Sequence, residues 1–128
     1  MLKALATAGA YTAGNLPITV QQNTNEKYGV NADSSIDIRV SGLTEITATV
    51  VANAGAAGVL SLQAYANGAP IPGAIDSQTV TSGSTHTFHI DDIVKTIYQA
   101  NPTFANISLQ FSAACTIVSG DVILLYQR

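Results

Sequence analysis

Apolar and polar residues alternate along most of this chain. In the run Ile36–Val40, for example, the apolar residues are separated by Asp37 and Arg39. Successive side chains of a β-strand point to opposite faces of a sheet, so each such run predicts a half-buried strand. Similar alternation occurs at residues 45–52, 60–64, 85–90 and 106–111. Turn-forming sequences separate the runs at residues 41–44, 53–58, 81–85 and 118–121.

Many short strands at regular spacing are typical of β-sandwiches and barrels. A run upstream of these, residues 16–21, predicts an additional first strand. We therefore expect one all-β sandwich of two antiparallel sheets with about 8–10 strands. Its predicted domain spans residues 16–128 and follows an N-terminal arm of residues 1–15.

The segment DDIVKTIYQANP departs from the alternation. Its apolar residues stand at Ile93, Val94, Ile97 and Tyr98, which is the spacing of one helical face. An Asp at the start of the segment can cap a helix, and the proline near its end favours termination there. We therefore predict one short helix near residues 91–101.

The stretch AYANGAPIPGAID combines a tight-turn pair with two prolines. Asn67 and Gly68 both tolerate positive φ and predict a hairpin turn, or else a corner that carries the chain to the second sheet. Pro70 and Pro72 stand two residues apart, so in an extended chain their missing N–H groups lie on the same side. That side cannot accept a full neighbouring strand, which predicts an edge strand.

The last strand, in DVILLYQR, is apolar without alternation, as in strands that are covered on both faces. One face would meet the core of the domain. The other would meet a second subunit or, alternatively, the predicted helix, and we favour the subunit. The residues predicted to form the subunit interface are Val122, Leu124, Tyr126, Leu62 and Phe111.

The composition agrees with self-association. Of the 128 residues, 47% are hydrophobic and only 10% are charged, against about 25% charged in an average domain. Natural proteins usually cover large apolar patches with a partner. The net charge is −3 and the basic residues do not cluster, so we expect neither nucleic acid nor an anionic membrane surface as a partner. No apolar run approaches the roughly 18 residues of a membrane span, so we expect no membrane insertion. The N-terminus is not a clear signal peptide.

The sequence offers little that predicts catalysis. Cys115 lies in an apolar setting that predicts a buried thiol. His86 and His89 stand three apart on a predicted strand, so they point to opposite faces and cannot share one metal ion. His86 shares the face of Phe88 and Ile90 and is expected in the core or an interface. Motifs for nucleophiles and phosphate binding are missing from the sequence, so we expect no enzyme activity, no metal and no cofactor.

The polar segment of residues 23–35 is the candidate ligand loop, because loops of this length often carry function. Its oxygen-rich residues could suit calcium, although EF-hand spacing is absent, and the sequence leaves that question open. A host glycan is the other candidate ligand. The residues predicted to contact a ligand are Asn25, Tyr28, Asn31 and Asp33.

Three stretches resemble the C1q/TNF-like jelly rolls of bacterial and phage surface proteins, such as the heads of spore-surface collagen-like glycoproteins. They are VSGDVILLYQR, IDIRVSGLTEITATVVANA, and GVLSLQAYANGAPIPG with its Leu60, Leu62, Asn67, Gly68, Pro70, Pro72 and Gly73. The resemblance covers roughly residues 30–128. It implies a jelly-roll sandwich and a homotrimer, and the number three comes from the resemblance alone.

Two functions follow as expectations. The first is a non-enzymatic structural module of a phage virion or cell surface, with a role in decoration, fibre, baseplate or display. Its partners would be copies of itself and other virion or surface proteins. The alternative is an adhesion module that binds a host glycan or receptor, in which a trimer would multiply weak sites.

Overall fold

The computed structural model describes residues 1–24, 27–96 and 105–127. These residues form eleven β-strands in two antiparallel sheets, which confirms the predicted all-β sandwich. The strands are β1 (Leu2–Ala6), β2 (Gly9–Tyr11), β3 (Ile18–Asn23), β4 (Tyr28–Val30), β5 (Ile36–Ile38), β6 (Gly42–Ala54), β7 (Gly58–Ala66), β8 (Ala69–Val80), β9 (Thr85–Thr96), β10 (Ala105–Phe111) and β11 (Cys115–Tyr126).

The two sheets pack face to face around one core. The six-stranded sheet has the order β3-β1-β11-β6-β9, with β2 paired to the first part of β11. The five-stranded sheet has the order β4-β5-β10-β7-β8. The core between them is closed by aromatic contacts, and the Phe88 ring of one sheet meets the Phe111 ring of the other edge-on at 5.3 Å between centroids.

The predicted helix near residues 91–101 is wrong over the part that the structure describes, because β9 continues as a strand to Thr96. Val94 lies opposite Thr44 of β6, and Thr96 lies opposite Gly42. The helical spacing depended on Ile97 and Tyr98, which lie outside the described residues. Within residues 91–96, the β-branched side chains suit the pleated sheet, and pairing with β6 decides the conformation.

Residues 1–15 supply two strands to the sandwich. β1 lies between β3 and β11 in the six-stranded sheet, and its Leu2, Ala4 and Ala6 side chains point into the core. This segment was expected to be an arm that precedes the domain. The alternating pattern is present in LKALA, but it is carried by alanine, a weak strand former, and so gives a faint signal. In the described residues, no helix has the length and hydrophobicity of a membrane span.

The predicted turn and edge at AYANGAPIPGAID are both confirmed. Asn67 (φ 52°) and Gly68 (φ 80°) occupy the left-handed region and join β7 to β8 as a two-residue hairpin. β8 is an edge strand of the five-stranded sheet, where the absent N–H groups of Pro70 and Pro72 are tolerated. The change of sheet occurs in the next turn, between β8 and β9.

Side chains of β8 bond the backbone of β9 where the two sheets meet at this corner. The Asp76 carboxylate accepts a hydrogen bond from the His89 N–H (2.9 Å), and the Gln78 amide donates to the Thr87 carbonyl (2.7 Å). Without these bonds, the His89 N–H and the Thr87 carbonyl would lack a partner at the edge of the six-stranded sheet. The inward-pointing polar side chains of the edge strand β8 thus hydrogen-bond to the backbone of the edge strand β9.

We expect Leu124→Ala to lower the free energy of unfolding by about 2–5 kcal/mol, because Leu124 is fully buried and its removal leaves a cavity. Val59→Ala is the control, since Val59 is 63% exposed and should change stability by less than about 0.5 kcal/mol. Urea unfolding of both variants at one protein concentration measures the difference. Equal effects of the two substitutions would contradict the assignment of Leu124 to the core.

Candidate interaction surface

The residues predicted as a subunit interface lie mostly in the core of the single chain. Val122, Leu124 and Leu62 are fully buried, and Phe111 is nearly so. These side chains therefore have almost no surface left to bury against a second chain. Tyr126 is half-buried at the end of β11, where its hydroxyl donates to the Ser41 carbonyl (3.0 Å).

The physical reason lies in the register between β11 and β6. Leu124 lies opposite Ile46, and Val122 lies opposite Ala48, both of which are buried. Paired residues of neighbouring strands point to the same side of a sheet, so this register turns Val122 and Leu124 inward. Leu125, between them and the chain end, points outward.

Polar side chains of the predicted ligand loop form hydrogen bonds within the loop. The Asp33 carboxylate accepts hydrogen bonds from the Ser35 hydroxyl (2.6 Å) and the Ser35 N–H (3.0 Å). The Asn31 amide donates to the same Ser35 hydroxyl oxygen (3.0 Å). Asn25 lies outside the described residues. Asn31 and Asp33 thus build a turn that leads into β5.

Tyr28 lies in the core and is 1% exposed. Its hydroxyl is 3.2 Å from the Thr44 hydroxyl, which is also buried. Burial raises the pKa of the Tyr28 phenol, and the hydrogen bond with Thr44 opposes part of that rise. A side chain in this position supports the sandwich and has no face to offer a ligand.

The two histidines point to opposite faces of β9, as the sequence predicts. The His86 ring contacts the Gln78 amide oxygen (3.1 Å) and the Ser84 hydroxyl (2.7 Å) at the inner edge of the sheet. His89 is exposed, and its Nδ1 lies 2.9 Å from the Thr49 hydroxyl. Among the residues that the structure describes, three or more His, Cys, Asp or Glu side chains nowhere group as they would around a metal ion, and these residues enclose no cavity.

The outer face of the five-stranded sheet is largely polar, and many of its polar side chains bond to one another or to the backbone. The hydroxyls of Ser61 and Ser77 lie 2.7 Å apart across β7 and β8. The Asn106 amide donates to the carboxylate of Asp37 on the neighbouring strand (2.9 Å). Gln63 donates to backbone carbonyls at the bulge in β8. Two large apolar side chains are also exposed on this face, Val59 on β7 and Ile75 (46%) on β8, and the Ser61–Ser77 pair lies between them.

The outer face of the six-stranded sheet is different. Leu5 and Leu125 are each 41% exposed there, Leu43 is 36% exposed and Ile93 is 54% exposed, while Ile123 is half-buried. We call the surface formed by Leu5, Leu43, Ile93, Ile123 and Leu125 the apolar face. Large apolar residues gathered on one face of a monomer mark a surface that another molecule covers.

The strand register groups four residues of the apolar face around Glu45, while Leu5 lies apart from them, opposite Asp121 of β11. Leu125 of β11 and Ile93 of β9 lie on either side of Glu45, because each is paired with this residue of β6. Ile123 is two residues from Leu125 on β11 and lies opposite Lys3 of β1. Residues two apart along a strand, or directly opposite across a pair, are near enough to touch.

One acidic residue, Glu45, lies in the middle of the apolar face. A hydrogen bond with the neighbouring carboxylate Asp91, reinforced by its negative charge, raises the pKa of Glu45. Asp91 stands on β9 opposite Thr47, one step along the sheet from Glu45. The Gln127 amide lies 3.5 Å from a Glu45 carboxylate oxygen.

The chain superposes on solved structures over nearly its whole length. The crystal structure of murine APRIL, a TNF-family ligand, at pH 5.0 superposes with a TM-score of 0.69 and 8% identity, over 94% of this chain and 95% of that chain. The structure of murine APRIL at pH 8.5 gives a TM-score of 0.62 and 5% identity, over 96% and 97% of the two chains.

The fold is the TNF-like jelly roll. Identities of this size support the fold alone. No protein-family model and no curated protein sequence matches the chain. The TNF-like part of the resemblance seen in the sequence is thereby supported, and the bacterial or phage setting stays a prediction.

The apolar face was missed by sequence reasoning at the level of individual residues. The run from Val122 to Tyr126 does indicate that both faces of β11 are apolar. It does not indicate which side faces the core, because that depends on the register with β6. Ile93 was assigned to the predicted helix, and Leu43 to a turn, so neither was placed beside Leu125.

We expect the Asp33 carboxyl to titrate below the ordinary range of aspartate, because the hydroxyl and N–H of Ser35 bond its charged form. Ser35→Ala removes the hydroxyl and should raise the pKa of Asp33. Since the folded pKa is lowered, the stabilisation is present above the unfolded pKa and is lost as pH falls through the folded value. An NMR titration of the Asp33 carboxyl carbon measures the shift, with Ser77→Ala as a remote control. An unchanged Asp33 titration in Ser35→Ala would contradict the role of that hydroxyl.

Proposed function

We propose that this chain is a non-enzymatic structural module that works as a homo-oligomer, and that it belongs to a phage virion or a cell surface. One observation carries the self-association: four large apolar side chains, Leu43, Ile93, Ile123 and Leu125, lie exposed or half-buried together around Glu45 on the outer face of the six-stranded sheet. Leu43, Ile93 and Leu125 surround Glu45, and a partner that covers them removes apolar surface from water.

The free energy of association gained by burying the apolar face is modest for each residue and accumulates over its residues. Burying a Leu-sized side chain completely is worth about 1.5–3 kcal/mol, so burying the exposed part of each residue of the apolar face contributes roughly 1 kcal/mol. Side-chain ordering and lost rotational freedom offset part of this gain. A closed ring repeats the contact at every subunit and strengthens the whole.

A second copy of this chain is the occupant that fits the apolar face best. The residues around it carry both signs of charge, with Lys3 and Lys95 at the margins and Asp91 and Asp121 among the outward positions of the sheet. A surface that holds both signs can be complementary to a copy of itself. The number three rests on the resemblance to C1q/TNF-like domains, and the observed fold supports that choice.

A structural role fits the way in which the polar side chains are used. Asp33, Asn106 and His86 make hydrogen bonds that hold turns, strands and the sheet corner together. The virion or cell-surface setting, with other surface proteins as partners, follows from the resemblance and from the low charge content. It stays a prediction, as does the adhesion alternative with a glycan or receptor.

We expect light scattering of the wild-type protein at micromolar concentration to give about three times the chain mass of 13.2 kDa. Leu125→Asp places a charge in the apolar face and should yield a folded monomer, because a buried charge without a partner strongly disfavours association. Circular dichroism checks that the variant keeps its β-sheet signal.

Val59→Asp is the matched control, since Val59 is an exposed apolar residue at the outer side of the other sheet. It should leave the mass unchanged. A wild-type protein that stays monomeric at tens of micromolar would overturn the proposed self-association. Dissociation by Val59→Asp together with an intact Leu125→Asp oligomer would move the interface to the five-stranded sheet.

A further inference from the structure

The position of Glu45 sets a problem for any assembly through the apolar face. Leu125 and Ile93 flank it directly across the two neighbouring strands, and Leu43 stands two residues before it on the same side of β6. A second copy that covers these three apolar residues also covers the carboxyl group between them. An ionised carboxylate in such a place loses its water and needs compensation.

The titratable groups on the outer side of the sheet near Glu45 carry both signs of charge. On β9, Asp91 and Lys95 each lie two residues from Ile93, the residue paired with Glu45, and His89 lies farther along on the same outer side. β11 contributes Asp121 and β1, the next strand beyond it, contributes Lys3. Asp91 is the main cause of the shift in the pKa of Glu45, and that shift is upward.

Neighbouring Asp91 offers an acceptor for a proton on Glu45. A protonated Glu45 can donate a hydrogen bond to the Asp91 carboxylate, so that two carboxyl groups share one proton and one negative charge. The pair then enters an interface with half the charge that it has when both groups are ionised. Desolvation by a covering subunit acts in the same direction, because burial disfavours the charged form of a carboxyl group.

We propose that self-association of this chain takes up protons at Glu45, so that the oligomer tightens as the pH falls. The inference rests on the proposed assembly through the apolar face and adds its regulation. Between the pKa of Glu45 in the free chain and the higher pKa in the assembled form, the oligomer binds more protons than the separate chains. Association is therefore favoured on the acid side of this window and weakened on the alkaline side.

The test is a dilution series of the wild-type protein and of Glu45→Gln by sedimentation at about pH 8 and about pH 5.5. The wild-type dissociation constant should fall by up to about tenfold per pH unit for each proton taken up. Glu45→Gln keeps a hydrogen-bond donor without the charge. It should assemble at pH 8 at least as tightly as the wild type does at pH 5.5, with little dependence on pH.

Two further variants sharpen the result. Asp91→Asn removes the charge that raises the Glu45 pKa, so the pH-dependent step should move to lower pH. Asp37→Asn removes one negative charge from the other sheet and should leave the wild-type pH dependence unchanged, which separates the local effect from net charge.

A wild-type chain that is monomeric at both pH values would overturn the proposed assembly itself. An oligomer whose dissociation constant is the same at both pH values would overturn only the proton uptake. Weaker assembly of Glu45→Gln than of the wild type at pH 8 would also overturn it, because that result means that a cation of the second copy pairs with the ionised carboxylate.

Discussion

The structure depends on the register of β6 with its two neighbours. β6 pairs with β11 on one side and β9 on the other over nearly its whole length, and its buried residues alternate without interruption from Thr44 to Ala54. That alternation determines which side chains of β11 and β9 enter the core, because paired residues share a side of the sheet. The core and the outward surface of the six-stranded sheet are therefore specified together, and neither can change by one residue without the other.

The sequence indicated most strands correctly, because a half-buried antiparallel strand repeats its burial every two residues. It also located the hairpin at Asn67–Gly68, where the local chemistry of the turn is sufficient. The segment at residues 91–96 was assigned to a helix because Ile and Val recur there at a spacing that suits either element. Long-range pairing with β6 decided between them, and such pairing leaves no mark within the segment itself.

The candidate surface could be predicted only in part for the same reason. The apolar run in β11 predicted that its second face is covered, but the choice between Leu124 and Leu125 as the outward residue needs the register. Tyr28, Asn31 and Asp33 were predicted to bind a ligand. Polar or aromatic residues in a long loop can either contact a ligand or hold the loop in place, and the sequence does not distinguish the two roles. In the folded chain, Asn31 and Asp33 support a turn and Tyr28 is enclosed with Thr44.

The two outer faces of the sandwich use their side chains in different ways. On the five-stranded sheet, hydroxyl, amide and carboxylate groups bond to one another, as Ser61 and Ser77 do, so that side is satisfied in water. The proposed assembly uses the apolar face on the other sheet. Glu45 lies within it as a single ionisable group, which makes the protonation state of one carboxyl part of the surface chemistry.

The corner between β8 and β9 has a consequence for proteins that are crowded together in many copies. Amyloid-like growth begins when a free strand edge of one molecule templates the strand of another. At this corner, Asp76 and Gln78 already occupy the N–H of His89 and the carbonyl of Thr87, and the nearby prolines withhold donors from the edge of β8. Copies of the chain can thus be held side by side at high local density while one route to fibre formation stays blocked.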